Sequence, residues 1–174
     1  MKNHNGMRPQ DMVVLLKLST MKSEKWRVQD IASALQISAS EVSESIQRSK
    51  QARLVAENKR TIYVASFLEF LVYGLKYVFP VAPGSVVRGF PTAHSAPPLN
   101  QTIVASSTDN YVWASSKGTI RGQAIIPLYK TVPKIALEDQ ALYELLALVD
   151  AIRVGKAREV KLAIEELEKR LKGE

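Results

Sequence analysis

Apolar side chains recur three and four residues apart through Met12, Leu15 and Leu16, and again through Ile31, Ala32 and Leu35, which is the period of a helix with one buried face. Residues 8–79 therefore predict helices with one hairpin. The texture changes at 80–136, which holds seven of the eight prolines, at 80, 83, 91, 97, 98, 127 and 133. Proline removes a backbone donor and clashes with the preceding turn, so long helices are not expected there. Within that stretch 102–106, 111–115 and 119–129 are rich in β-branched and aromatic residues and are separated by Ser-Thr-Asp-Asn and Ser-Lys-Gly turns, a pattern that predicts a small antiparallel meander. Helical spacing returns with Leu142, Leu145, Leu146, Val149 and Ile152, pauses at Gly155, and resumes through Val160, Ile164, Leu167 and Leu171 at near-heptad intervals. No repeat of fixed period is present. The expected class is α+β and helix-rich, in three segments. Residues 8–65 form an N-terminal helical unit with its hairpin; 66–136 form a connecting helix, a Pro-rich arm and the β region; 137–171 form a helical pair.

Composition narrows the classes. With 174 residues, 46% hydrophobic and 24% charged, the chain can bury ~70% of its extended surface and is too apolar to be disordered as a whole. The absence of cysteine excludes disulfides, thiolate metal sites and cysteine nucleophiles. The most apolar stretch, 67–81, is interrupted by Glu69, Lys76 and Pro80, so no membrane span is expected. Lys2 and Arg8 are not followed by the apolar run of a secretory signal, and a cytoplasmic location is expected. The net charge of +7 is uneven: residues 1–65 carry 11 basic and 6 acidic side chains, 66–136 carry 6 and 2, and 137–174 carry 7 and 9. A cationic front two-thirds raises the local concentration of polyanions, of which nucleic acid is the commonest.

The segment 28–55 concentrates the chemistry. A short helix would bury Ile31, Ala32 and Leu35, with small Ala32 admitting a closely crossing second helix, and Ile37 plugging the turn. Ser38 can cap that second helix, and Glu41, three residues on, completes a capping box. Val42 and Ile46 then form its buried stripe. At about 100° per residue, Ser40, Ser43, Glu44, Gln47, Arg48 and Gln51 are predicted to face outward.

Ile31-Ala32, Leu35, Ile37-Ser38, Val42-Ser43, Ile46 and Leu54-Val55 resemble the helix-turn-helix of winged-helix bacterial transcription regulators, the MarR-like group in particular, over about residues 8–65. Residues 53–57, a turn at Asn58-Lys59 and residues 60–65 match the length of the family's β-hairpin wing, with Lys59-Arg60 as a basic tip. The chain departs from the family at Gln36, where glycine is common in the turn, and at Glu44, where a basic residue is common. A glutamate there can still accept a hydrogen bond from the amino group of cytosine. The resemblance implies double-stranded DNA as ligand, with the second helix in the major groove and the wing on the backbone or in the minor groove. Ser40, Ser43, Gln47 and Arg48 are expected at base edges or adjacent phosphates, with Arg27, Lys50, Lys59 and Arg60 on the backbone or in the minor groove. Some winged helices bind protein instead; the positive charge of this lobe weighs toward DNA.

Outside this unit the most distinctive string runs from Arg88 to Pro98 and contains Thr92 and His94. It reads either as a ligand or partner loop using Arg88, Thr92 and His94, or as an extended arm that packs along the surface with His94 satisfied by backbone. A serine with His94 and Asp109 could assemble a hydrolase, but no nucleophile-elbow or phosphate-loop pattern accompanies them, and an enzyme is not expected. His4 and His94 are the only histidines, so neither a metal nor another cofactor is expected. Trp26 and Trp113 read as packing residues. The leucine-rich faces of 137–171 are wide for surface helices, which points to burial against the β meander or against another chain; proteins of the resembled MarR-like group dimerise through terminal helices, and a homodimer is the expectation.

The sequence thus points to a DNA-binding transcriptional regulator acting as a homodimer on two half-sites. The rival is an antitoxin-like interaction protein whose winged helix autoregulates and whose residues 80–136 bind a partner protein.

Overall fold

The computed structural model describes residues 6–23 and 25–173; Lys2 and His4 lie outside them. Three helices open the chain: α1 (Pro9–Ser19), α2 (Val28–Leu35) and α3 (Ala39–Gln51). Each buries the stripe that its spacing predicts. Met12, Leu15, Leu16, Ile31, Leu35 and Val42 are fully enclosed, and Ala32, Ile37 and Ile46 nearly so. After α3 the chain makes a minimal hairpin, with one bridge between Val55 and Ile62 and a turn closed by Lys59 N–H donating to the Ala56 carbonyl. The second arm is shorter than the predicted 60–65, because Val64 already begins α4 (Val64–Glu69). That helix widens through a π turn at Phe70–Gly74 and ends as α5 (Leu75–Val78).

The β region differs from the predicted meander. Its strands are β1 (Val86–Pro91), β2 (Tyr111–Ala114) and β3 (Ile120–Ala124). Residues 102–106 form no strand, and Val104 is fully exposed. The front of the string read as a Pro-rich arm is instead the central strand. β1 pairs antiparallel with β2 through Gly89–Pro91 and with β3 through Val86–Gly89. β2 and β3 then meet in parallel through Tyr111↔Gln123 and Val112↔Ala124, closing a three-stranded barrel. So tight a closure requires the chain after β2 to cross directly over β1. A Cβ on Gly118 would fall 2.3 Å from the backbone of Gly89, and one on Gly89 would fall 2.1 Å from the Trp113 carbonyl oxygen. Glycine at both positions lets the backbones touch.

α6 (Val132–Ile135), α7 (Gln140–Val154) and α8 (Ala157–Lys172) complete the chain. α7 is the central helix, in contact with α1, α5, α8 and the turn after β1. Leu142, Leu145, Leu146, Leu148, Val149, Ala151 and Ile152 are all buried in it. Of the two burials expected for the terminal leucine faces, within the chain or against another chain, the fold takes the first, so these faces are not left for a dimer contact. In α8, Ala163 and Leu167 are fully buried and Ile164 and Leu171 pack against the same core. That core is continuous from Met12 through Phe67 and Trp113 to Leu167, so the three sequence segments share it.

Asp150 anchors the barrel to α7. Its carboxylate accepts from Thr92 Oγ1 at 2.8 Å, Trp113 Nε1 at 2.7 Å and Arg153 Nη1 at 2.9 Å. A buried carboxylate is costly unless its lone pairs are satisfied, and here three donors meet it. Among the described residues no helix is long and apolar enough to cross a membrane.

Candidate nucleic-acid interface

α3 begins where Ser38 Oγ accepts the backbone N–H of Glu41 at 3.2 Å. The predicted reciprocal bond is not made, because the Glu41 carboxylate turns to side chains instead, accepting from Arg48 Nη2 at 2.7 Å and Gln10 Nε2 at 3.2 Å. Burial pushes the Glu41 carboxyl up, but these hydrogen bonds outweigh it and leave it below the ordinary glutamate range. The turn into α3 is made by Gln36 in the left-handed conformation, φ 52° and ψ 44°. Glycine adopts this conformation freely, whereas Gln36 holds it at a backbone cost.

From this start α3 presents Ser40, Ser43, Glu44 and Gln51 to solvent, with Gln47 half-buried. Val42, Ser45, Ile46 and Ser49 are turned inward. Arg48 departs from the expectation. Predicted as an outward DNA contact, it is buried against α1. Its guanidinium grips Asp11 through Nε (2.9 Å) and Nη2 (2.7 Å), and Asp11 is fully enclosed. Ser45 lies one helical turn after Glu41 and Arg48 about two, so the three share the flank that meets α1. Hydrogen bonding to Asp11, opposed by burial, raises the guanidinium's affinity for its proton. Arg48 is thus a structural residue. The missed signal was Asp11, an acid directly before the apolar run 12–16, which needed a cationic partner.

The remaining predicted cations surround α3 at the surface. Lys59 is exposed at the hairpin tip with φ 57°. Arg60 stacks over the Trp26 ring, 4.3 Å from its centroid, and donates to the Trp26 carbonyl oxygen. Trp26 is buried and so serves as the hairpin's backstop. Lys50 pairs with Glu57 at 2.8 Å and Arg27 with Asp30 at 3.2 Å, both at exposed carboxylates. Such surface pairs are worth ~0–1 kcal/mol and exchange readily for another anion. Between α3 and the hairpin lies a cleft of about 250 Å³ bounded by Trp26, Val28, Ser43, Ile46, Asn58, Lys59 and Arg60. Its walls come from α3, the hairpin and the segment leading into α2.

The Arg88–His94 group is not brought together. Thr92 is fully buried and donates to Asp150. His94 is 4% exposed, and its Nε2 lies 2.8 Å from the Asp109 backbone oxygen while Nδ1 lies 3.7 Å from Glu159 Oε2. This corrects the ligand-loop reading for both residues, since a ligand could reach neither. Arg88 alone is exposed, directly opposite Arg121 of β3. Trp113 is buried where the barrel meets α7, its indole N–H on Asp150 and its ring 5.6 Å from that of Tyr143.

Among the described residues no group of His, Asp or Glu side chains is arranged to hold a metal ion. Comparison with protein-family models, curated proteins and solved structures finds no match to this chain.

Proposed function

We propose that this chain is a sequence-specific DNA-binding transcriptional regulator of the cytoplasm, a MarR-like winged helix-turn-helix protein acting as a homodimer. The observation that carries the reading is the outward side of α3, with Ser40, Ser43, Glu44 and Gln51 exposed and Gln47 half-buried, beside a hairpin tipped by Lys59 and Arg60. Short polar side chains on a helix can hydrogen-bond base edges in a major groove, while cations on an adjoining hairpin neutralise phosphates. α3 is 13 residues long, ~20 Å, a length that spans the groove. Mechanism in this reading is positional. Two recognition helices must sit about one duplex turn (~34 Å) or a multiple apart, and an effector would act by changing that distance.

Selection from genomic fragments tests it, with the wild type compared to Ser43→Ala/Gln47→Ala/Lys59→Ala. These side chains lie outside the core, so the variant should fold as the wild type does and lose enrichment. With three phosphates neutralised per protomer of a dimer, affinity should fall with salt at a log–log slope of roughly −5. Unchanged enrichment or a flat salt response overturns the reading.

A second reading, the antitoxin-like interaction protein, is favoured by one observation. Arg88 and Arg121 are direct cross-strand neighbours, both exposed and without an ion pair among the described residues. Like charges so placed repel, and an acidic partner surface would relieve them. Co-purification of a partner from the native host, lost in Arg88→Glu/Arg121→Glu, distinguishes this reading from the first.

A further inference from the structure

With the leucine faces of α7 and α8 consumed inside the chain, a second copy needs another surface, and α4–α5 carries one. Its outer side presents Ser66, Glu69, Tyr73, Lys76 and Tyr77 to solvent. Tyr73 and Tyr77 are 73% and 74% exposed, far more than aromatic rings ordinarily show on a soluble protein. The π turn at Phe70–Gly74 sits at the middle of this side, a distortion often retained at functional positions. Alongside runs an open groove of about 600 Å³ lined by Met7, Leu54, Phe70 and Gly74, with Arg53 at its edge.

From this arrangement we infer that α4–α5 is a two-fold homodimer interface, formed by antiparallel packing of this helix against its copy. The charge pattern selects the second copy as the occupant. Among the described residues neither Glu69 nor Lys76 makes an ion pair, and the Lys76 ammonium lies 5.0 Å from the centroid of the Tyr77 ring. A two-fold axis between Val72 and Tyr73 places Glu69 of each protomer opposite Lys76 of the other, so both charges are neutralised twice in one interface. This is the self-complementarity that an isologous contact demands. The same axis brings the two Tyr73 rings together. It also sets Tyr77 beside the partner's Leu68, between Ser66 and Phe70, at the mouth of the apolar groove. Seating the two rings would bury ~300 Å² or more per protomer. The groove walls, with exposed Tyr63 at the start of this helical run and exposed Val78 at its end, would have to supply the rest of the ~800 Å² per partner usual in stable dimers.

The interface bears on the homodimer part of the proposed function but stands on residues separate from α3, and its test contains no DNA. Sedimentation of the full chain should show a dimer at micromolar concentration. Glu69→Lys alone and Lys76→Glu alone should each weaken dimerisation tenfold or more, because each creates two like-charge contacts. An equimolar mixture of the two variants should associate again, as a heterodimer in which every facing pair is opposite in sign, and the double variant should dimerise like the wild type. Both positions are exposed, and unchanged thermal melts of the monomeric variants would exclude misfolding. A wild type that stays monomeric, single variants that dimerise as the wild type does, or a mixture that fails to re-associate each overturns the inference. In the separate genomic-fragment selection, a wild-type dimer that enriches no sequence would refute the α3 reading and leave this one standing.

Discussion

Asp11→Ala removes the fully enclosed carboxylate that receives two of the Arg48 hydrogen bonds. Breaking a buried pair from one side typically costs 3–5 kcal/mol, because the surviving charge stays desolvated. Here Arg48 keeps Glu41 at 2.7 Å, on a carboxylate that is 23% exposed, so the lower end applies, ~3 kcal/mol. For a chain of this size that corresponds to a fall in Tm of roughly 6–12 °C. Urea unfolding followed by circular dichroism measures it directly. Arg48→Met should be comparably costly, since among the described residues it leaves Asp11 with the Arg8 backbone N–H at 2.8 Å as its one hydrogen-bond donor. The double variant Asp11→Ala/Arg48→Met should cost less than the sum of the two by ~2 kcal/mol, the coupling expected of contacting residues. An Asp11→Ala protein within ~1 kcal/mol of the wild type would refute the reasoning. The pair would then contribute little beyond its own desolvation, and Arg48 could be free to act elsewhere.

Three further outcomes are expected. Gln36→Gly should stabilise the fold by ~0.5–1 kcal/mol, since Gln36 holds a left-handed backbone that costs a non-glycine residue ~1–2 kcal/mol and glycine returns part of that as chain entropy; thermal melts that fall instead would show that the Gln36 side chain contributes more than its strain. Gly118→Ala should open the barrel, because the new methyl would occupy the space of the Gly89 backbone, and near-UV circular dichroism should report the loss of the fixed Trp113 environment; a retained spectrum refutes the crossing geometry. Glu41 and Asp139 should make the protein acid-labile. Burial pushes Asp139 up, but the Lys17 ammonium at 2.7 Å and the Leu142 N–H outweigh it, so both carboxyls sit below their ordinary ranges. A depressed folded-state value means that stability is present above the unfolded value, about 4, and is lost as pH falls through the folded one. Asp139→Asn with Glu41→Gln should therefore flatten the decline of Tm between about pH 5 and 2, and an unchanged acid limb would count against both pairs.

The legible parts of this molecule were those set by local period and local chemistry. Ile31, Leu35, Val42 and Ile46 lie at helical spacing, and the helices formed on them bury those side chains. Ser38 announced the start of α3 because a hydroxyl satisfies a helix-terminal N–H regardless of what surrounds it. Arg48 was misplaced because it stands on the border between the buried and outward sides of α3, and only Asp11, 37 residues away, decides which way it turns. β1 was hidden by its own Gly89 and Pro91, residues that local rules score against a strand. Both are suited to it once Gly118 crosses above the first and the barrel ends at the second.

The order of residues along the chain, read locally, settles where helices start and which stripe each one hides, since those depend on bonds and contacts within a few positions. It also settles the net positive charge of the front two-thirds. The closed barrel, the burial of Thr92 and His94, and the enclosure of α7 on nearly every side depend on contacts between segments 15 to 122 residues apart. Pairings of that kind are chosen by shape and by which polar groups remain to be satisfied once the core has closed, and only the folded chain brings those alternatives into competition.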